Sequence, residues 1–300
     1  MDFKQLLEPI AGEAAVGCYL KDDRSVYRGL RNTFNAAQSS FRRLIETPDS
    51  SVDEALHQEN LQNWQSVNDA CWQTLTEKSK DVEIVCWWIM SLAFQNDSIT
   101  KIATALELLP SFFEKFWPDV QPFLPEEKLK ASSSKELASL RAEFQLKPII
   151  QLLGESSTSG LLYMPLQMLS LVGEIDHSQY LSATKSGKLG DIKTQAQKDF
   201  PGFTNEITST VIALNVAIKS LDTLDEWLKK TSGEMSISAI STQFLKTNMT
   251  DCLMAIKYLV GSSYSVWPLD QNDSQEESIA VENNIPNKSV ESNDSAVQSK

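Results

Sequence analysis

The spacing of apolar residues in the first half of the chain predicts a series of amphipathic helices. Tyr27, Leu30, Phe34, Ala37 and Phe41 recur at three- and four-residue steps, so one apolar stripe follows a predicted helix over 25–46. The same criterion predicts helices over 2–7, 63–78, 81–94, 98–116 and 133–153, with kinks or breaks at Pro110 and Pro148. The segment 81–94 is apolar around most of its circumference, which indicates a central, buried helix.

The second half of the chain predicts a helical hairpin. Near-heptad apolar spacing covers 203–230, a turn is expected at Thr231-Ser232-Gly233, and a returning helix runs over 237–260 to a stop at Gly261. A short helix is predicted over 189–198, whereas the apolar run 161–171 fits either a strand or a helix. The hairpin must bury its apolar face against 161–171, against the first half of the chain, or against another copy.

Changes in composition divide the chain into three parts. Small polar residues at 154–163 mark a boundary, and beyond Asp270 the aromatic residues disappear while Asn, Asp, Ser, Gln and Glu dominate. We therefore predict an all-α protein, in which an N-terminal helical bundle (1–155) precedes a smaller helical-hairpin domain (156–268). A disordered acidic tail (269–300) follows, because such a composition buries too little apolar surface to offset its ordering entropy.

Charge and cysteine content narrow the possible environments. The formal net charge of −13 disfavours binding to nucleic acid or to anionic lipid. No apolar run reaches the ~18 residues of a membrane span, and the start has no secretory pattern, so we expect a cytoplasmic protein without membrane insertion. The four cysteines are widely spaced and fit reduced core thiols.

The sequence offers few candidates for chemistry. The two histidines, His57 and His177, stand in no metal-ligand spacing and are interpreted as surface or loop residues. No C-x-x-C pair, phosphate-binding loop or dinucleotide fingerprint occurs, although a Cys/His nucleophile could still assemble in space. We assign no catalytic, cofactor-binding or metal-ligating residue.

Aromatic residues are concentrated in one window. Five of the seven tryptophans lie between positions 64 and 117: Trp64, Trp72, Trp87, Trp88 and Trp117. Such rings either pack in the core or anchor a partner. Neighbours on a helix point about 100° apart, so if one of Trp87 and Trp88 is buried, the other lines a groove or lies under a neighbouring element. The first candidate contact face is the Pro118–Pro125 loop together with whichever of these two rings faces outward.

Three smaller features of the sequence also lead to predictions. Ser79 is predicted to cap the helix that follows it, with Asp81 in its first turn. The neighbouring charges of Lys80 and Asp81 fit either a functional contact or a helix start. Trp267-Pro268 is expected to be the last packed anchor.

Separated sequence elements resemble the ImpA N-terminal family of the bacterial type VI secretion system. The opening Leu6-Leu7-Glu8-Pro9-Ile10, with Gly17 and Asp22-Asp23, resembles the opening of the family. Trp64 with Val67, then Ser79-Lys80-Asp81-Val82 and Trp87, resembles its strongest block. Phe116-Trp117-Pro118-Asp119 and Arg141 resemble its later elements. The match spans about 5–155, the hairpin at 200–260 resembles other members more weakly, and Pro110 departs from the pattern.

The resemblance implies a non-enzymatic assembly factor of the TssA type. Its implied partners are the baseplate, the membrane complex, the tail tube and the sheath, and the full-length protein is expected to be a homo-oligomer. Alternatives are an accessory cap or stop protein at the distal sheath end, a helical adaptor outside secretion, or a helical enzyme with an unrecognised site. The polar tail is either a natural terminus or a linker to a further domain, and the linker is the favoured interpretation.

Overall fold

The computed structural model describes residues 2–12, 14–47 and 53–270. Within these ranges the chain forms nine α-helices, three short 3₁₀ turns and one two-stranded hairpin. The helices are α1 (Arg24–Glu46), α2 (Glu54–Glu77), α3 (Val82–Leu92), α4 (Ser98–Phe116), α5 (Ser134–Leu153), α6 (Tyr163–Gln167), α7 (His177–Ser186), α8 (Leu189–Met235) and α9 (Gln243–Val260). The 3₁₀ turns are Phe3–Leu7, Glu126–Lys128 and Gly261–Ser263. The predicted all-α class is confirmed.

The central helix of the bundle is α3, as its composition predicts. Ten of its eleven residues are buried, so it has no face left for solvent. Helices α2, α4 and α5 pack around it, and α1 packs on the outer side of α2. Phe34 of α1 reaches past α2 and stacks on Trp87, with ring centroids 4.5 Å apart. Aromatic stacking therefore contributes to the packing of α1 on the bundle.

Two helices are longer than predicted. Helix α2 begins at Glu54, nine residues before the predicted start, because Asp53 caps it by accepting a hydrogen bond from the Leu56 amide. The segments predicted as 189–198 and 203–230 form one continuous helix, α8, which passes through Pro201 and the predicted turn at Thr231-Ser232-Gly233. It ends at Met235, and its C-cap residue Ser236 has a φ of 56°, in the left-handed region.

The ambiguous run 161–171 contains both kinds of structure. Tyr163–Gln167 is the short helix α6, and Ser170–Val172 forms strand β1, which pairs antiparallel with β2 (Ile175–Asp176). The hairpin β1–β2 lies against α8 and α9. Gly173 makes its turn, and an added Cβ there would lie 3.1 Å from the Phe203 ring.

The helical hairpin α8–α9 buries its apolar face mainly against α4 of the first half and within itself. One cluster of buried apolar residues extends from Leu6 to Trp267. Trp267 packs edge-on against Tyr264, which confirms it as a packed anchor. The division at 155 stays a prediction, and the predicted disordered tail lies outside the described residues from position 271 onward.

Candidate functional site

The sequence elements that carry the family resemblance meet in one place. Segment 78–82 lies between two other segments, pairing antiparallel with Gly17 through Ser79 and parallel with Gln121 through Asp81. The Lys80 amide donates to Val16 O at 2.9 Å, and the Gln121 amide donates to Lys80 O at 3.0 Å. We call segments 16–18, 78–82 and 117–121 the motif junction. It joins parts of the chain that are about a hundred residues apart in sequence.

Gly17 is required by the close approach of two backbones. Its φ is +69°, and an added Cβ would lie 2.0 Å from Lys78 O. Any side chain would therefore collide with a neighbouring carbonyl and strain the backbone as well. Steric exclusion of any side chain therefore explains why a glycine occupies this position.

Lys80 is fully buried in the motif junction. Its Nζ donates to Leu6 O at 2.9 Å and to Leu75 O at 2.8 Å, and it lies 5.5 Å from the centre of the Phe116 ring. Leu75 lies in the last turn of α2, so the ammonium group satisfies a carbonyl at the negative end of that helix. Burial lowers the pKa of Lys80 to about 8. The side chain ties the first turn of the chain to the bundle.

Asp81, and not Ser79, caps the start of α3. Its carboxylate accepts from the Glu83 amide at 2.8 Å, whereas the Ser79 hydroxyl donates to Cys18 O at 2.7 Å. Asp81 is 2% exposed, and burial raises its pKa to about 7 despite the two amide donors. The prediction of a Ser79 cap is wrong because the close pairing with residues 16–18 uses that hydroxyl.

Helix α5 fastens the proline-rich loop that follows α4. Gln145 Nε2 donates to Pro118 O at 2.8 Å and to Val120 O at 2.6 Å. Arg141 Nε donates to Leu124 O at 3.1 Å, and its guanidinium lies 4.3 Å from the centre of the Phe123 ring. The backbone of this loop is therefore held by side chains along most of its length.

Neither tryptophan of the adjacent pair faces outward. Trp87 stacks on Phe34 on one side of α3, and Trp88 packs against Phe3 and Trp72 on another, with centroid distances of 4.8 and 5.1 Å. The alternative in which the second ring lies under a neighbouring element is the correct one. The candidate face therefore loses its aromatic anchor, because α3 is enclosed on all sides.

The proline-rich loop itself presents a small polar edge to solvent. Pro118 and Asp119 are exposed, as are the residues of the turn Glu126–Lys128, whereas Val120 and Gln121 are buried. This edge is acidic apart from Lys128, whose ammonium lies 3.7 Å from Asp22. It is a solvent-exposed edge whose backbone is held by the side chains of Arg141 and Gln145.

A second structural feature lies between the two halves of the chain. Phe113 at the end of α4 stacks on Trp227 of α8 at 4.5 Å, and Trp117 meets the same ring edge-on at 5.5 Å. Farther along α4, a cleft of about 720 Å³ opens among α2, the start of α4, α6 and α8. Phe94, Met168 and Asn205 are among its lining residues.

The histidines are not surface or loop residues. His57 lies half-buried within α2 beside the cleft, and His177, the first residue of α7, is 2% exposed. His177 Nδ1 lies 3.5 Å from the Cys252 Sγ atom. Burial lowers the pKa of this imidazole and raises that of the Cys252 thiol to about 12, so the thiol stays protonated. The pair does assemble in space, but not as an activated nucleophile.

Three of the four cysteines are buried, as predicted, but Cys18 is exposed. Across the described ranges, no group of three or more His, Cys, Asp or Glu side chains is arranged to hold a metal ion. Helix α8 is long and apolar enough, by length and composition alone, to cross a membrane. The prediction that no apolar run reaches the length of a membrane span did not include this helix. Its apolar face packs against α4 and α9, as in the core helix of a globular protein.

Sequence reasoning missed two of the residues that shape this region. Gln145 looked like an ordinary polar residue on a helix, and Trp227 lay outside the aromatic window. The only sequence signal for Gln145 is its position one turn after Arg141, on the same face of α5.

Comparisons with known proteins bear on the first half of the chain most directly. Residues 7–152 match the family model described as ImpA, N-terminal, type VI secretion system. A search of curated proteins found no match. A similar solved structure is the N-terminal domain, including the conserved ImpA_N region, of the TssA component of the type VI secretion system from Burkholderia cenocepacia. It is 16% identical with a TM-score of 0.55, and the alignment covers 87% of this chain and 94% of that chain. The similarity of fold therefore extends beyond the family match into the hairpin.

Proposed function

We propose that this protein is a non-enzymatic assembly factor of the type VI secretion system. The premise is that residues 7–152 belong to the ImpA N-terminal family of that system. In this proposal it works in the cytoplasm, contacts the baseplate and membrane complex, and promotes or controls polymerisation of the tail tube and sheath. The proposal includes a homo-oligomer and excludes nucleic acid as a partner.

The motif junction is the observation that carries this proposal. Its buried polar side chains Lys80 and Asp81, together with Gln145 of α5, bind backbone groups and hold a loop in place. Catalytic side chains must be free to contact a substrate, whereas the polar atoms of these three side chains already hydrogen-bond to the backbone. An arrangement of this kind supports a rigid surface for contact with other proteins.

A helical enzyme is less well supported than an assembly factor. The buried Cys252–His177 pair is the arrangement most similar to a nucleophile and base, and burial shifts both pKa values away from reactivity. The accessory cap or stop role at the distal sheath end remains the main alternative within the same system. It differs from the leading proposal in the stage of assembly that fails without the protein.

Deletion of the gene tests the proposal. With a fluorescent sheath protein followed by microscopy and tube protein measured in the medium, we expect sheath extension and tube secretion to be lost. Complementation should succeed with the double variant His177→Gln, Cys252→Ala, provided that it folds, since no chemistry is assigned to these residues. Sheaths that extend and contract normally without the protein would refute the assembly role. Sheaths that extend but are misplaced or overlong would favour the cap.

A further inference from the structure

The arginines of this chain are concentrated on one helix. The sequence contains six, and five of them lie in α1: Arg24, Arg28, Arg31, Arg42 and Arg43. The same helix carries a single carboxylate, Glu46. In a chain with a formal net charge of −13, this is a strongly basic element on an acidic protein.

Four of these arginines form one line along the exposed side of α1. Successive residues of a helix are about 100° apart, so Arg24, Arg28, Arg31 and Arg42 fall within about 60° of one another. We call these four residues the arginine strip. It spans about 27 Å at 1.5 Å per residue, and Asn35 and Gln38 fill the interval without adding charge. The buried residues Leu30, Phe34 and Phe41 lie on the other side of the helix.

The described part of the chain forms no ion pair with the arginine strip. Arg43, beside the strip, pairs with Glu59 of α2. Among the described residues, no carboxylate lies within ion-pair distance of the four arginines of the strip, and all four are exposed. If the arginine strip packed against a carboxylate-rich surface of a partner, its guanidinium groups would gain the ion pairs that the described residues do not provide.

Gly29 is a second feature that indicates a contact surface on this side of α1. It lies in the middle of α1, where glycine costs about 0.5–1 kcal/mol relative to alanine. Nothing lies within 4 Å of an added Cβ, so packing does not demand a glycine. Gly29 lies in a shallow depression of about 450 Å³ that is also lined by Arg24, Arg28 and Asn32. A partner can approach the helix backbone closely at this point.

We propose that the arginine strip and Gly29 form a docking surface for a carboxylate-rich face of another protein of the secretion apparatus, an inference that rests on the proposed function. Arginine suits this partner because its planar guanidinium binds a carboxylate through two parallel hydrogen bonds. A protein partner fits better than a nucleic acid or a bilayer. Those extended polyanions would approach the acidic remainder of the surface within the screening length of about 10 Å.

The test uses the full chain and purified tube, sheath and baseplate proteins of the same system as probes. The variant Arg24→Glu, Arg28→Glu, Arg31→Glu should weaken binding to one of them on the order of tenfold or more. It should also reduce the salt dependence of that affinity. A matched control, Lys185→Glu, Lys188→Glu, Lys198→Glu, makes the same change in charge at exposed sites of α7, of α8 and of the turn between them, and should bind normally. Thermal unfolding verifies that both variants are folded.

A second variant separates docking from charge. Gly29→Ala should raise the melting temperature slightly and weaken the same interaction several-fold. The control Gly202→Ala changes another exposed helical glycine, with open space around it, and should leave binding unchanged. An affinity unaffected by Gly29→Ala would remove the close-approach part of the proposal.

Several results would overturn the inference. If a component binds the charge-reversed variant as well as the original chain, the strip is not the docking surface, although the proposed function stands. If no component binds the original chain, both fail. Strip-dependent binding to duplex DNA or to phosphatidylglycerol vesicles would reject the choice of a protein partner. Strip-dependent self-association, or cross-links from α1 to 271–300, would assign the surface to this chain itself.

Discussion

At the scale of single residues, Lys80 and Asp81 show how burial changes the pKa values of two adjacent charged side chains. In the sequence they resemble the polar start of a helix, yet both are buried and each serves a different element. Lys80 satisfies carbonyl groups of the first turn and of α2, while Asp81 caps α3. Burial disfavours both charges, which is why the pKa of the lysine is lowered and that of the aspartate is raised.

The raised pKa of Asp81 predicts a pH dependence of stability. The folded carboxyl holds its proton up to about pH 7, whereas its ordinary pKa is 3.8. Between these values the folded state binds more protons than the unfolded state, so stability falls as pH rises. Asp81→Asn keeps an oxygen for the cap and has no proton to lose. Its stability relative to the original chain should therefore rise between pH 4 and pH 8, by on the order of 4 kcal/mol.

Urea unfolding at pH 4, 6 and 8 measures this difference, and other titrating groups, including His177, cancel in the comparison. Asp119→Asn, a change at an exposed position of the proline-rich loop, serves as the control and should show no such trend. A difference that stays constant with pH would mean that the pKa of Asp81 is not raised in the folded protein.

At the scale of elements, helix ends and helix prolines decide where the segments begin and end. Pro110 was expected to kink or split the fifth predicted helix, yet α4 runs unbroken from Ser98 to Phe116. A proline in a helix interior costs roughly 3 kcal/mol. Pro110 is itself buried between Leu109 and Phe112, which are also buried, so packing on both sides offsets that cost. The same reasoning applies to Pro148 in α5, whose ring is also buried.

The end of α2 depends on Lys80, which leads to a prediction about stability. Lys80→Met keeps most of the apolar stem but leaves Leu6 O and Leu75 O buried without their donor. We expect the free energy of unfolding to fall by about 2–4 kcal/mol, since each unsatisfied buried carbonyl costs about 1–3 kcal/mol. Denaturant unfolding measures the loss, and protease sensitivity of the first ten residues should increase.

The neighbouring exposed lysine provides the comparison. Lys78→Met removes the same functional group two positions earlier and should change stability by less than about 0.5 kcal/mol. Equal effects of the two substitutions would show that the buried hydrogen bonds of Lys80 contribute nothing specific.

At the scale of the whole molecule, the two halves share one apolar cluster. Helix α4 lies between α3 and α8, and Phe113 and Trp117 contact Trp227 across the predicted boundary. A domain that folds alone needs a core of its own. The cluster that spans the boundary indicates that much of the stability of the first half depends on the second.

A fragment experiment tests this dependence. Residues 1–155 would expose the face of α4 that α8 covers, so we expect a lower melting temperature, a broad transition or aggregation. The matched comparison is residues 1–270, which retain every described contact. A fragment 1–155 that melts cooperatively at the temperature of the longer chain would show instead that the predicted boundary separates two independent domains.

The sequence alone was sufficient for the class of the fold, the central position of α3, most helix bounds in the first half and the family whose model that half matches. Each of these follows from local information: the 3.6-residue period of apolar positions, and short elements in a particular order. Lengths were less accurate where a cap or a proline had to be judged without its neighbours, as at Asp53 and Pro201.

Only the tertiary structure decided which polar groups are buried and what they hold. Nothing near Lys80 in the sequence indicates that its ammonium reaches Leu6 O, seventy-four positions earlier. The same is true of the enclosure of both Trp87 and Trp88 and of the meeting of His177 with Cys252. It is also true of the lack of an ion pair to the arginine strip among the described residues. Contacts between distant segments depend on how the helices pack in three dimensions, and the periodicity of a single segment contains no information about its neighbours.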